Sequence, residues 1–235
     1  MAIADLRREY SLGGLNRQEL DANPFKQFEN WFGQASAAAH GGRWRKIGIA
    51  LFKLWHAVLG HAPADVNAMV LATTTKDGRP SARTVLLKGL DERGFIFFTN
   101  YDSRKGQELA DNPNAALVFY WPELERQVCV AGRVTKLPAA ESEAYFRSRP
   151  KGSRLAAWAS NQSSVVRDRE TLELRWREME TRFPGDDVPC PPNWGGYVLS
   201  PERIEFWQGR PSRLHDRFRY TRQADHSWVV ERLSP

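Results

Sequence analysis

From Met69 onward the chain holds short runs in which apolar residues recur at every second position, several of them joined by tight turns. That period puts successive side chains on opposite faces of an extended chain, so each run reads as a half-buried strand. Strands are expected at Met69–Thr75, Ser81–Leu90, Phe95–Thr99, Ala115–Trp121, Arg126–Leu137, Gly196–Leu199, Arg203–Trp207, Leu214–Tyr220 and Trp228–Arg232. Asp77-Gly78 supplies the residue types of a tight hairpin turn between the first two. Regular strand–helix alternation is missing, which excludes a parallel doubly wound sheet. The remaining fold class is α+β, an antiparallel β-barrel with peripheral helices.

The helices are marked by their caps and stripes. Asn23 is a good N-cap and Pro24 suits a first helical position; Phe25, Phe28 and Phe32 follow at helical spacing. His40-Gly41-Gly42 breaks that pattern, and a second stripe runs through Trp44, Ile47, Leu51, Trp55 and Val58 to Gly60. Ser103 caps a short helix to about Ala110, stopped by Asn112-Pro113. Further helices are expected from Pro138 to Ser148, ending at Pro150, and from Val165 to Phe183. Residues 1–22 read as a polar arm, and with no linker in view a single domain over residues 1–235 is expected.

A net charge of +6 and a pI near 9.5 suggest an anionic partner. The charge is scattered rather than run together, which favours a phosphorylated small molecule over nucleic acid. Cys129 and Cys190 share no metal-ligand spacing, so no metal is expected and the reducing cytoplasm is the simplest setting. No signal peptide is visible. The longest apolar stretch, Ile47–Leu59, contains Lys53 and His56 and falls short of the ~20 residues of a membrane span, so no transmembrane segment is expected. Phosphate-loop, dinucleotide-binding and nucleophile-elbow motifs are likewise missing.

Four groups of residues suggest chemistry. Ser103-Arg104-Lys105 puts two cations at a helix start, where the dipole prefers anions; a phosphate over the free N–H groups, or simple reach into solvent, accounts for them. Arg83 and Lys88 bracket Thr84-Val85-Leu86-Leu87; on a flat strand they face opposite ways, so either a bulge realigns them or they bind different parts of a ligand. Arg213, His215 and Arg217 share one face if they lie on one strand with Leu214 and Asp216 between them, and would then need an anion or a carboxylate to offset their charge. Tyr145 and Arg149 share a helix face, with Ser153 just beyond Pro150; the three could hold a second phosphate or form a surface stack.

Together with other segments, these residues resemble one family: the FMN-dependent pyridoxamine/pyridoxine 5′-phosphate oxidases. The resembling segments are Arg7-Arg8-Glu9-Tyr10, Arg83–Lys88, Phe98–Lys105, Glu125–Val128, Tyr145–Pro150, Gln162-Ser163-Ser164, Trp194-Gly195-Gly196, Ile204–Gly209, Arg213–Phe218 and Arg232-Leu233. The resemblance implies an FMN-binding split β-barrel acting as a homodimer, with flavin at the subunit interface. It implies that Arg83, Lys88, Arg104 and Lys105 hold the flavin phosphate end and that the intervening Thr84, Val85, Leu86 and Leu87, with Phe98, Thr99 and Gln127, line the cofactor. Gln162, Ser163, Trp207 and Arg217 would come from the partner chain. Lys88, Tyr145, Arg149 and Ser153 match the grip on the substrate phosphate. Arg213, Leu214 and His215 match the segment around the substrate ring, with Arg213 and His215 in the catalytic positions. Arg7, Arg8, Glu9 and Tyr10 match an arm that covers the site.

The implied reaction is hydride transfer from C4′ of pyridoxine or pyridoxamine 5′-phosphate to flavin N5, with O₂ reoxidising the flavin to give H₂O₂. Two alternatives stay open: a related flavin oxidase acting on another ring, such as a phenazine precursor, or a non-catalytic module binding FMN or pyridoxal phosphate. The chain departs from the family pattern at about residues 36–62, which add Arg43, Arg45, Lys46 and Lys53 and no acid. That segment reads as an extra helix packed on the barrel or the dimer partner, or as a basic amphipathic helix for a membrane surface or another protein.

Overall fold

The computed structural model describes residues 3–5, 9–41 and 65–235. Arg7, Arg8 and the basic stripe from Trp44 to Gly60 lie outside the described residues. The strands are β1 (Ala68–Thr74), β2 (Pro80–Leu86), β3 (Gly89–Asp91), β4 (Gly94–Asn100), β5 (Asn114–Trp121), β6 (Arg126–Lys136), β7 (Trp194–Gln208), β8 (Asp216–Arg222) and β9 (Trp228–Leu233). The helices are α1 (Pro24–Gly41), α2 (Arg104–Asp111), α3 (Ala139–Ser148), α4 (Lys151–Ala159) and α5 (Arg169–Arg182). The sheet order is β2-β1-β5-β6-β7-β4-β3, with β8 beside β7 and β9 beside β8. The β3–β4, β4–β7, β7–β8 and β8–β9 pairs are antiparallel.

Chain contacts divide the molecule into two compact units, one of Met1–Val70, Leu117–Ala131 and Pro201–Pro235, the other of Leu71–Ala116 and Gly132–Ser200. The first has an aromatic core. Phe28 of α1 meets Phe119 edge-on at 4.9 Å, and Trp31 meets Phe206 at 5.2 Å, which is why an i, i+3 aromatic stripe follows the Asn23 cap. Asn23 Oδ1 accepts the Phe25 N–H at 2.9 Å, as an N-cap should. In the second unit, Phe146, Leu155, Val188 and Trp194 form one buried cluster and Ile96, Leu137 and Val198 another.

Three expectations about elements are corrected. The sequence signals end a helix at Pro150 and start none after it, yet α4 begins at Lys151: Pro150 sits at the N-cap position, where a missing N–H costs nothing. The expected strands Gly196–Leu199 and Arg203–Trp207 are one strand, β7. Phe95–Asn100 pairs with its first part and Asp216–Thr221 with its second, so Pro201 falls in the gap between these two registers. The expected Ser81–Leu90 strand is two strands, β2 and β3, interrupted at Leu87-Lys88.

Candidate functional site

The interruption at Leu87-Lys88 builds the site. Lys88 N–H donates to the Ile96 carbonyl at 2.8 Å, which hands the chain from β2 to the partner of β4. Leu87 turns inward and is buried, while Arg83 and Lys88, which a continuous flat strand would aim apart, both line one cavity of about 490 Å³. Thr84, Val85 and Leu86 line it with them, together with Phe98, Thr99, Lys105, Tyr145, Arg149, Ser153 and Gln162.

Lys105 projects from the first turn of α2, whose N-cap is Ser103. Its amine is buried and donates to Thr99 Oγ1 at 3.1 Å and Gln162 Oε1 at 2.9 Å. Burial and the neighbouring Arg83 charge lower its pKa, with Glu108 opposing. Arg83 and Arg104 both reach Glu108, at 3.1 and 2.9 Å. Arg104 is turned onto Glu108 and largely solvated, outside the residues that line the cavity.

Part of the lining is aromatic. Phe98 and Tyr145 stack with centroids 3.8 Å apart, and Trp194 lies parallel to both. Gly196 makes this possible: a Cβ there would sit 2.8 Å from Phe98 Cε1 and 2.5 Å from Leu137 Cδ1. Arg149, in extended backbone just past α3, lays its guanidinium over Trp194 at 4.7 Å. Its Nη1 is buried without a hydrogen bond, and burial lowers its pKa. The expected Tyr145–Arg149–Ser153 group is thus brought to one cavity, by the α3–Pro150–α4 junction that spacing alone did not reveal. Among the described residues no carboxylate lines this cavity, while four cationic side chains do. A half-buried guanidinium whose Nη1 has no hydrogen bond among the described residues, lining the same cavity as a desolvated amine, fits a phosphorylated ligand such as FMN.

The remaining candidates belong to the other unit. Arg213 and His215 precede β8 rather than lying on it, so the expected strand face of Arg213, His215 and Arg217 does not form. Ser212 and Arg213 both have left-handed φ, 57° and 61°, a conformation that costs a non-glycine residue about 1–3 kcal/mol. His215 Nδ1 accepts the Arg210 N–H at 3.1 Å, which makes Nε2 the protonated nitrogen of the neutral ring. Its ring lies 4.7 Å from Trp207 and 5.7 Å from Tyr10. Leu214 is exposed. Arg217 pairs with Glu205 at 2.8 Å, and Gln127 donates to Cys129 Sγ at 3.3 Å.

Gln162, expected from a partner chain, lies against Lys105 and Thr99 of its own chain; Ser163 beside it is exposed, with φ 73°. Glu9 is exposed, whereas the arm just after Tyr10 is pinned where Ser11 and Leu12 N–H groups donate to Glu125. Sequence reasoning passed over Glu108. The signal was there, an acid one turn after Arg104 on a short helix, but its buried contacts with Thr73 and Ser81 come from strands far away in the chain.

Two family models match this chain: pyridoxamine 5′-phosphate oxidase over residues 61–183, and the pyridoxine 5′-phosphate oxidase C-terminal dimerisation region over residues 194–235. A pyridoxine/pyridoxamine 5′-phosphate oxidase of Paraburkholderia phytofirmans is 56% identical over 235 residues, covering 100% of this chain and 99% of the relative. One of Nostoc sp. is 54% identical over 233 residues, covering 99% and 98%. Among solved structures, PhzG from Burkholderia lata, in complex with tetrahydrophenazine-1-carboxylic acid, is 30% identical with a TM-score of 0.78, covering 94% of this chain and 98% of PhzG. A pyridoxamine 5′-phosphate oxidase-related FMN-binding protein from Nostoc punctiforme, 21% identical, has a TM-score of 0.60 over 82% of this chain and 98% of its own, and shares the fold. The fold class is thus the expected one, an α+β FMN-binding split β-barrel. No helix among the described residues is long and apolar enough to cross a membrane.

Proposed function

This chain belongs to the pyridoxamine 5′-phosphate oxidase family, with FMN as its cofactor, and we propose that it oxidises pyridoxine 5′-phosphate and pyridoxamine 5′-phosphate to pyridoxal 5′-phosphate. The observation that carries this reading is the cavity lined by Arg83, Lys88, Lys105 and Arg149 and, among the described residues, by no carboxylate. That is more positive charge than one phosphate requires, and cofactor and substrate each bring one. When bound, FMN would supply the acceptor for the hydride from substrate C4′ and the route by which the electrons reach O₂ to give H₂O₂.

The protein's own work is binding and orientation. Arg83, Lys88 and Lys105 hold the flavin phosphate, with Phe98, Thr99 and Gln162 beside it. Tyr145, Arg149 and Ser153, with Lys88, take the substrate phosphate; the unpartnered Arg149 Nη1 supports this assignment. Arg213 and His215 flank the substrate ring, with His215 donating from Nε2. Trp207, Arg217 and Gln127 serve the flavin site in a homodimer, an assembly supported by the matched dimerisation region.

The test mixes FMN-loaded protein with pyridoxine 5′-phosphate without oxygen and follows the flavin's visible absorbance. Rapid bleaching, with colour restored by air, is expected; persistent colour with FMN bound would overturn the reading. The likeness to PhzG favours a second reading, a ring acid without a phosphate. Running tetrahydrophenazine-1-carboxylic acid alongside separates the two, since bleaching by that compound and not by pyridoxine 5′-phosphate would favour the second reading.

A further inference from the structure

The two arginines of the cavity are held by opposite means. Arg149 is held by aromatic faces, which leave its charge uncompensated. Arg83 is held by a carboxylate: Glu108, only 4% exposed, reaches Arg83 Nη2 at 3.1 Å and Arg104 Nε at 2.9 Å. Glu108 also accepts from Ser81 Oγ at 2.6 Å and from Thr73 Oγ1. Arg83 in turn donates from Nη1 to the Leu71 carbonyl at 3.2 Å and to Thr73 Oγ1, and from Nη2 to Ser81 Oγ. Burial pushes the Glu108 carboxyl up, but the Ser81 and Thr73 hydroxyls and the Arg104 and Arg83 guanidinium groups outweigh it and hold the pKa at about 2.

An acid here opposes an incoming anion by charge, so any benefit to anion binding must lie in geometry. A free arginine side chain has large rotamer entropy, and ordering it on contact with ligand would cost much of that. Glu108 does the ordering in advance: both Nη nitrogens of Arg83 are engaged by β1, β2 and α2, and Nε–H is the donor these contacts do not use. Lys105, one turn before Glu108 on α2, lines the same cavity. We infer that Glu108 is a positioning residue that makes this cavity select a phosphorylated flavin over the same flavin without its phosphate. The inference rests on the reading of Arg83 and Lys105 as the flavin phosphate grip.

The test is equilibrium binding of FMN and of riboflavin to the flavin-free full-length protein, followed by flavin fluorescence. Wild type should favour FMN. In Glu108→Gln the affinity for FMN should fall about tenfold, equivalent to about 1.4 kcal/mol, while riboflavin binding stays within about twofold. Glu108→Asp, which keeps the charge but draws it back from Arg83, should show a smaller loss confined to FMN, and it serves if the Gln variant does not fold. Unchanged or tighter FMN binding in the variants overturns the inference, because charge repulsion then outweighs positioning. Equal losses for both flavins also overturn it, reducing Glu108 to a support of the fold. A wild type that binds FMN and riboflavin equally would instead overturn the phosphate-grip reading itself.

Discussion

Gly196 is where packing of the fold and shape of the cavity meet, so replacing it with alanine tests both. The added Cβ would lie 2.5 Å from Leu137 Cδ1 and 2.8 Å from Phe98 Cε1, inside any tolerable carbon–carbon contact. The Leu137 tip can rotate away. The Phe98 ring cannot easily do so, because Tyr145 stacks on it with centroids 3.8 Å apart and Trp194 lies parallel at 5.5 Å. Overpacking of this kind costs about 1–3 kcal/mol. Since one neighbour yields and the other is pinned, about 2 kcal/mol is expected. Gly33 provides the internal control: it is exposed within α1, and a Cβ added there would meet nothing within 4 Å, so Gly33→Ala should stabilise by about 0.5–1 kcal/mol. Urea unfolding of the two variants against wild type, at equal slopes, reads both signs in one experiment. For a chain of this length the melting temperature of Gly196→Ala should fall by roughly 4–8 °C. A displaced Phe98 also pushes Tyr145, so the KM for the phosphorylated substrate should rise. A Gly196→Ala protein as stable as wild type would refute the packing argument.

Arg149→Met should raise the KM for pyridoxine 5′-phosphate by roughly 10- to 100-fold, the loss of a charge-assisted bond of about 1.5–3 kcal/mol, with little change in folding stability because no ion pair is broken; steady-state kinetics and urea unfolding together check it. The Glu108 carboxyl, held at about 2 against an ordinary 4.5, contributes about 3 kcal/mol that is complete above pH 4.5 and is lost as pH falls towards 2. The stability gap between wild type and Glu108→Gln should accordingly narrow between pH 7 and pH 3, and a constant gap would count against the pairing. Cys129, pushed up to about 11 by burial and by Glu205, should be alkylated far more slowly at pH 8 in the native than in the unfolded protein, as mass spectrometry of iodoacetamide-treated samples would report.

Much of this protein was legible because its signals are local. Alternation fixes the face of a strand within a few residues, so β1, β4, β5 and β6 fall close to their expected places. A cap needs only the residues beside it, and Asn23 and Ser103 act as expected. The cationic and hydroxyl residues at Arg83, Lys88, Lys105, Tyr145, Arg149 and Ser153 could likewise be picked out from the sequence, and they line one cavity. The residue order resembling the oxidase family added the flavin and the reaction class, and the family matches agree.

What only the tertiary structure decided depends on partners distant in the chain. Arg83 and Lys88 share a cavity because β2 and β3 pair with different strands, a break that no residue between them announces. The strand at β7 passes through Pro201 because the registers against β4 and β8 leave that position between them. Arg213 and His215 leave the strand because the turn at Pro211–Arg213 takes two left-handed residues. Glu108 could be recognised as the clamp on Arg83 only once Thr73 and Ser81, on two other strands, were seen to bury it. Local sequence sets which face a side chain takes and what chemistry it carries; which charges are neutralised, and which are left for a ligand, is settled by long-range packing, since desolvation and pairing are properties of the folded surroundings.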